Sequence, residues 1–571
     1  MQRVALVTAA LVAAVAVWAL SLPPRRTALA STFDDGTVRG LLHVHSRASD
    51  GRGTLDEIAI AAARAGLQFV VVTDHGDGTR RPEAPAYRAG VLLIDGVEIS
   101  TRGGHYVAIG LPQTPYALGG EAADVVEDVR RLGGLGIAAH PDSPKAGLRW
   151  QDWGAPIDGF ELVNPDTSWR LRAFSGGVAA KWLLLRSLLA YPVRPSESIA
   201  QLLTSTSALR ERWAGVAAQR PLTAFAGADA HAKLSLRDTE PGDNRYSIPI
   251  PGYQSSFESL SVHVVPDHQF AGDASSDGSA LLGGLRRGHV YLAVDGWATP
   301  PAFEFSATSG ASRVTAGESV RSGAPVTLHV RSNAPPGFRT IVWKGATRLT
   351  ERNEPAFEVP VGSEPAVYSV EVRRANAPDM PAWITSNPIY VRADSPASSP
   401  IVPKVPSGGA RLFDGQTTGG WSVENDDTSL AAISVASLTD GARVVLKYGL
   451  SGGAAVGQYA AAAVEAAGGV AGWDGVAFSI RAEHPMRVSV QVRTEMAGAA
   501  PERWERSVYV DAVETSRLVR FSEMTPVGTT HAAVPPPDSV RAIMFVVDTT
   551  NSRPGASGRL WVGNPRLVSA P

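Results

Sequence analysis

Seven short apolar runs lie between Val38 and Gly296, and most of them begin or end in a histidine or a carboxylate. No other feature restricts the fold as much. The runs are VRGLLHVH, LQFVVVTDH, VLLIDGVE, HYVAIGL, LGIAAH, DGFELVN and LTAFAGADAH, alternating with stretches of helical character. That is the pattern of parallel strands joined by crossovers, and seven such units predict a closed barrel. Thr54 and Glu57, spaced as a capping box, mark the start of the first crossover helix and Gly66 its end. A second helix is predicted from Glu121 to Leu132, ahead of Gly133 and Gly134.

Residues i and i+2 of a strand share a face, so His43 and His45 are placed to offer two imidazoles to one cation. A lone pair of this kind is weak evidence, but the other strands end in similar residues. Asp74 and His75 close the second, Glu98 the third, His140 the fifth and Asp229 with His231 the seventh, while His105 opens the fourth. Side chains supplied by separate strand ends converge at one mouth of a barrel. Six of the twelve histidines fall in such places; His263, His268, His289, His329, His484 and His531 do not, and are read as ordinary surface or core residues. The chain has no cysteine, so a metal here must be held by imidazole and carboxylate, a donor set that suits zinc first, then manganese or iron. Two such ions, about 3.5 to 4 Å apart, yield hydroxide near neutral pH without a protein nucleophile. Glu98 is the natural bridge between them. Asp74, next to His75, either orients an imidazole or caps a loop. Arg47, Lys145, Lys233 and Arg237 flank these motifs as candidates to neutralise a phosphate, or as solvated surface charges.

The motifs HVHSRASDG, VTDHGD, GVEIS, GGHYVAIGL, AAHPD and GADAH resemble those of the PHP (polymerase and histidinol phosphatase) superfamily. The resemblance covers about residues 37 to 300 and implies a distorted (β/α)7 TIM-like barrel binding two to three divalent ions. It implies that His43, His45, Glu98 and Asp229 hold one metal, that Glu98 bridges to a second held by His105 and His140, and that Asp50, His75 and His231 hold a third. Glu98, Asp229 and Asp74 are then the candidate catalytic carboxylates. The stretches ALLGGLRRGHVYLAVDG and PAWITSNPIYVRA are similar to carbaryl-hydrolase-type members of that superfamily, more loosely.

The rest of the chain divides by composition. Residues 1–30 carry an uncharged apolar run from Val4 to Leu22 and an Ala28-Leu29-Ala30 site, which predict a signal peptide or a membrane anchor. The chain is therefore expected to be secreted or extracytoplasmic, touching a membrane only through this segment. The metallohydrolase domain is assigned to 33–298, with a helical insertion at about 169–219 that packs on its own domain, covers the site or lies on a membrane. Alternating segments at 299–393 predict a β-sandwich, 394–408 a Pro/Ser-rich linker and 409–571 a jelly roll. The last resembles galactose-binding-like domains, which implies contact with a glycan or the cell envelope. Its Trp421, Trp473, Trp504 and Trp561 are either sugar-stacking or core residues. A net charge of −2 gives no global attraction for nucleic acid. The expected activity is phosphoester hydrolysis of a small molecule. Alternatives are a carboxylic ester or carbamate hydrolase, a 5'-3' exonuclease-like nuclease, and a non-catalytic glycan-binding surface protein.

Overall fold

The structure, a computed structural model, describes residues 2–30, 32–235, 245–377, 380–393, 406, 408–439, 441–453, 457–466, 468–495 and 500–569. The chain is multidomain and mostly β. It divides into two compact units, one made of residues 1–112 and 121–396 and the other of residues 113–120 and 397–571. The 394–408 linker lies outside the described residues apart from 406 and 408.

All seven apolar runs form strands of one closed barrel: β1 (Val38–Val44), β2 (Phe69–Val72), β3 (Val91–Thr101), β4 (Gly104–Ile109), β5 (Leu135–Ala138), β6 (Gly159–Val163) and β7 (Thr223–Ala230). Pairing of β7 with β1, Leu42 opposite Gly227 and Val44 opposite Ala230, closes the ring. Strands β2, β5 and β6 are buried along their whole length, which is why the first two are uninterrupted apolar runs and the third is broken only by Glu161.

The strict TIM-like alternation is not what forms. β4 runs antiparallel to both β3 and β5, and every other barrel pairing is parallel. An antiparallel neighbour needs only a tight turn, and here Arg102 and Gly103 supply it in place of a crossover helix. No helix separates β2 from β3 or β5 from β6 either. The reversal matters for the site. In a parallel strand the rim residue is the last one, and in a reversed strand it is the first, so His105, which opens its strand, reaches the same rim as residues that close theirs.

Where helices occur, their ends follow local chemistry. Helix α1 (Gln2–Ser21) is the N-terminal apolar run. Among the described residues, which leave out several α1 side chains, no helix is long and apolar enough to cross a membrane. Helix α2 (Leu55–Arg64) has both arms of the capping box: the Glu57 amide donates to Thr54 Oγ1 at 3.1 Å and the Thr54 amide to Glu57 Oε2 at 2.8 Å. Helix α3 (Ala122–Arg131) sits within the predicted range. The insertion starts earlier than expected, because Asn164 caps helix α4 (Pro165–Arg170) through the Thr167 amide. A π-helical turn, Leu171–Ser175, then leads to α5 (Val178–Ala190), α6 (Pro195–Ala200) and α7 (Ser207–Gln219).

Beyond the barrel, β8 (Ser261–Val264) pairs antiparallel with β1, and β9 (Val290–Ala293) with β8. Ile384–Ser386 joins β9 to a sheet containing Ala366–Arg374 and Phe338–Lys344. A separate four-stranded sheet, built around Phe303–Ser309 and Val326–Ser332, belongs to the same sequence region. In the second unit two six-stranded antiparallel sheets enclose a core that includes Trp421 and Trp504. The sugar-stacking reading therefore fails for those two tryptophans, since a ring buried between sheets cannot meet a ligand. Trp473 packs against the same core, and the Arg481 guanidinium lies over Trp561 at 3.9 Å.

Candidate metal centre

His43 sits at an irregularity of β1, where the ladders to both β2 and β7 shift register. Its φ is 63°, and His140 and Asp229 also have positive φ, 28° and 47°. Such values are uncommon for residues with a side chain and cluster at functional sites. His43 and His45 thus reach one site through a local distortion as much as through simple alternation, with ring centroids 5.1 Å apart.

Glu98, buried at the end of β3's inward-facing run, organises the cluster by dividing its two oxygens. Oε1 lies 2.8 Å from His105 Nδ1 and 2.9 Å from His140 Nε2. Oε2 lies 3.2 Å from His43 Nε2, 3.2 Å from His45 Nε2 and 3.3 Å from His75 Nδ1. Asp229 Oδ1 stands 3.5 Å from Nε2 of both His43 and His45. Asp50 reaches His231 Nε2 at 3.1 Å and His45 Nδ1 at 3.4 Å. All nine residues assigned as ligands are thereby brought together. Their groupings differ in part from those the resemblance implies. Ligand atoms within 4.8 Å of one another form the sets His45, Asp50, His75, His231; His43, Glu98, His140; His43, His45, Asp229; and His75, Glu98, His105.

Neighbouring carbonyls fix which ring nitrogen faces inward. His140 Nδ1 donates to the Leu148 carbonyl at 3.1 Å and His231 Nδ1 to the Asp229 carbonyl at 2.9 Å, leaving each Nε2 with a lone pair for the cluster. Burial disfavours charge on His43, yet the surrounding carboxylates of Glu161, Glu98 and Asp229 outweigh it and hold the imidazole above its ordinary value. His45 is likewise pushed up to about 9 against burial, by Asp229 and Glu98. Burial works against ionisation of Glu98 and Asp229 too, but the imidazoles hold both well below the usual carboxylate range. Buried nitrogens His43 Nε2, His45 Nδ1 and His45 Nε2 have no hydrogen-bond partner. Orphaned imidazole nitrogens facing carboxylates are what a divalent cation would satisfy, so the residues fit such a group.

Asp74 does not orient an imidazole. Its carboxylate accepts from the Ser46 amide at 2.8 Å, Ser46 Oγ at 2.6 Å and Ser49 Oγ at 2.5 Å, which pins the loop carrying Asp50. Of the two readings of Asp74, this geometry matches the loop cap. Lys145 and Lys233 line the cavity over the cluster; Arg47 is exposed and does not, and Arg237 lies outside the described residues.

Glu161 is the residue that sequence reasoning missed. Buried in β6, it accepts through Oε1 from His43 Nδ1 at 2.5 Å, and through Oε2 from the His140 amide at 2.7 Å and Asn164 Nδ2 at 2.8 Å. A Cβ on Gly227 would stand 1.8 Å from Glu161 Oε1, so the glycine of β7 makes room for this carboxylate. The available signal was one carboxylate inside the apolar run GFELV. The cavity holds about 580 Å³ and is lined by residues of the cluster and of helices α4 to α6.

No family model matches the chain. A 3',5'-nucleoside bisphosphate phosphatase from Chromobacterium violaceum is 32% identical over 125 residues, 19% of this chain and 43% of the relative. The chain thus spans less than half the length of this curated relative. Among solved structures, a family 11 carbohydrate-binding module of a Clostridium thermocellum cellulase matches 28% of this chain and 95% of its own at 17% identity, with a TM-score of 0.25. A family 30 module of another Clostridium thermocellum cellulase matches 28% and 98% at 11% identity, with a TM-score of 0.22.

Proposed function

We propose that the protein is an exported metal-dependent hydrolase of the PHP superfamily, acting on phosphoesters. The observation that carries this reading is Glu98, one buried carboxylate shared among five imidazoles from four strand ends, with unpaired imidazole nitrogens beside it. Cations bound there, two to three with zinc favoured, supply Lewis acidity and make their water reactive near neutral pH. The chain's own part is to hold the donors. Glu161 fixes His43, the Leu148 and Asp229 carbonyls set the tautomers of His140 and His231, and Asp74 keeps the loop of Asp50 in place. Lys145 and Lys233 line the cavity where an anionic group would enter. The phosphatase name of the partial relative supports phosphorus as the electrophile. Helix α1 serves export or anchoring.

Metal analysis paired with a substrate panel tests this. Two to three divalent ions per chain, turnover of phosphoesters, and loss of both in Asp229→Ala are expected. Turnover of carboxylic esters or carbamates with none of phosphoesters would move the reading to the carbaryl-hydrolase type.

A further inference from the structure

Helix α5 is packed inside out. Its buried residues are Ser187 and Ala190, while Trp182, Leu185, Leu188 and Leu189 are 62%, 46%, 49% and 53% exposed. A helix docked on its own domain turns leucines inward and small polar residues outward, so this pattern fits surroundings other than water. Exposed apolar side chains also stand at Phe174 before the helix, at Val178, its first residue, and at Val193 after it. Its far end meets the N-terminal apolar helix, where Trp18 Nε1 donates to the Leu189 carbonyl at 3.1 Å. Val12, Val15 and Leu20 of that helix are themselves more than half exposed.

The same helix walls the cavity. Leu185 and Leu188 line it and are also half exposed, so one set of side chains faces both the outside and the space above the histidine cluster. Leu184, Ile199, Leu202 and Trp169 line the same cavity, as do His75, His105, His140 and His231 of the cluster, with Asp166, Arg170, Ser187 and Tyr191 interspersed on the helical side. A cavity that joins a cluster of ionisable side chains to leucines of α5 matches a ligand with a charged group and an apolar part.

We propose that the substrate is an amphiphile, an anionic phosphoester headgroup on a long apolar chain, taken from a lipid surface on which the α5 leucine face rests. This deepens the phosphoesterase reading and rests on it for the headgroup alone. The chain would lie along Leu185 and Leu188 with its headgroup toward Glu98. A helix presenting tryptophan and leucines to a lipid boundary, beside an apolar terminal helix, is suited to that position.

The test uses the full-length, metal-loaded protein and two non-hydrolysable probes, methylphosphonate and dodecylphosphonate below its micelle concentration, with binding measured by calorimetry. Dodecylphosphonate is expected to bind at least about tenfold more tightly, a gain that burying a few methylenes supplies. In Leu185→Ser/Leu188→Ser that ratio should fall toward one. Both positions are half exposed, so the fold is expected to persist, and far-ultraviolet dichroism checks it. Association with phosphatidylcholine vesicles should weaken in Trp182→Ser. Equal affinity for the two probes in the unaltered protein would overturn the proposal even if short phosphoesters are hydrolysed. Strong dodecyl preference without hydrolysis of any phosphoester would uphold the apolar-chain site while sinking the phosphoesterase reading.

Discussion

Glu161 ties together two ligands that arrive on different strands, accepting from the His43 ring and the His140 amide with its two oxygens. Glu161→Gln keeps the shape and removes the charge, so metal affinity is expected to fall by about 10- to 100-fold, the usual cost of losing a carboxylate behind a ligating histidine, as read by chelator competition. His263 governs a separate property. It is buried against Tyr291, with Nδ1 2.9 Å from the Tyr291 hydroxyl and 3.1 Å from Thr37 Oγ1, and burial pulls its imidazole down to about 3. The unfolded chain takes up this proton near pH 6.5 and the folded chain does not, so stability present above that pH is lost as pH falls toward 3. By pH 4.5 the loss should reach about 3 kcal/mol, and His263→Gln should flatten that acid limb in denaturant titrations of the first unit. At this scale the convergence of nine candidate ligands was legible because they punctuate apolar runs, where a histidine or carboxylate has no packing reason to be. Glu161 was hidden because a strand buried on both faces has no alternation from which an inward carboxylate stands out.

Between β3 and β4 the chain reverses in two residues, and the turn depends on its glycines. Gly104 has φ +113°, and a Cβ there would lie 2.6 Å from the Arg149 carbonyl oxygen. Gly104→Ala is expected to cost about 1 to 3 kcal/mol and to displace His105 beside it, seen as a lower melting temperature and reduced metal retention. The capping box of α2 was readable residue by residue, because it is a local hydrogen-bond pattern written in four positions. The direction of β4 was not, since HYVAIGL is as good a strand in either sense; only its spacing of six residues from VLLIDGVE, too short for a crossover, carries that information. Asp74 illustrates the same limit. Its neighbour His75 is adjacent in sequence, but its partners, Ser46 and Ser49, come from the loop after another strand.

The division into two compact units predicts separable unfolding. Two calorimetric transitions are expected, and a chelator should lower the one belonging to the barrel unit while leaving the other in place, because among the described residues the candidate metal ligands all lie in the first. The two β regions were legible from strand spacing, whereas the ladder joining β9 to Ile384–Ser386 was not, since it pairs segments about ninety positions apart with no shared sequence signal. The barrel's closure has a consequence for any ion the cluster would bind. Strand β7 both completes the ring against β1 and delivers Asp229 and His231, so the cage comes into being only when this last piece arrives. On the proposal that the chain is exported and binds cations, one threaded unfolded through a bilayer would leave the cytoplasm with no cage to load, and the fluid on the far side, rather than the donor set alone, would choose its metal.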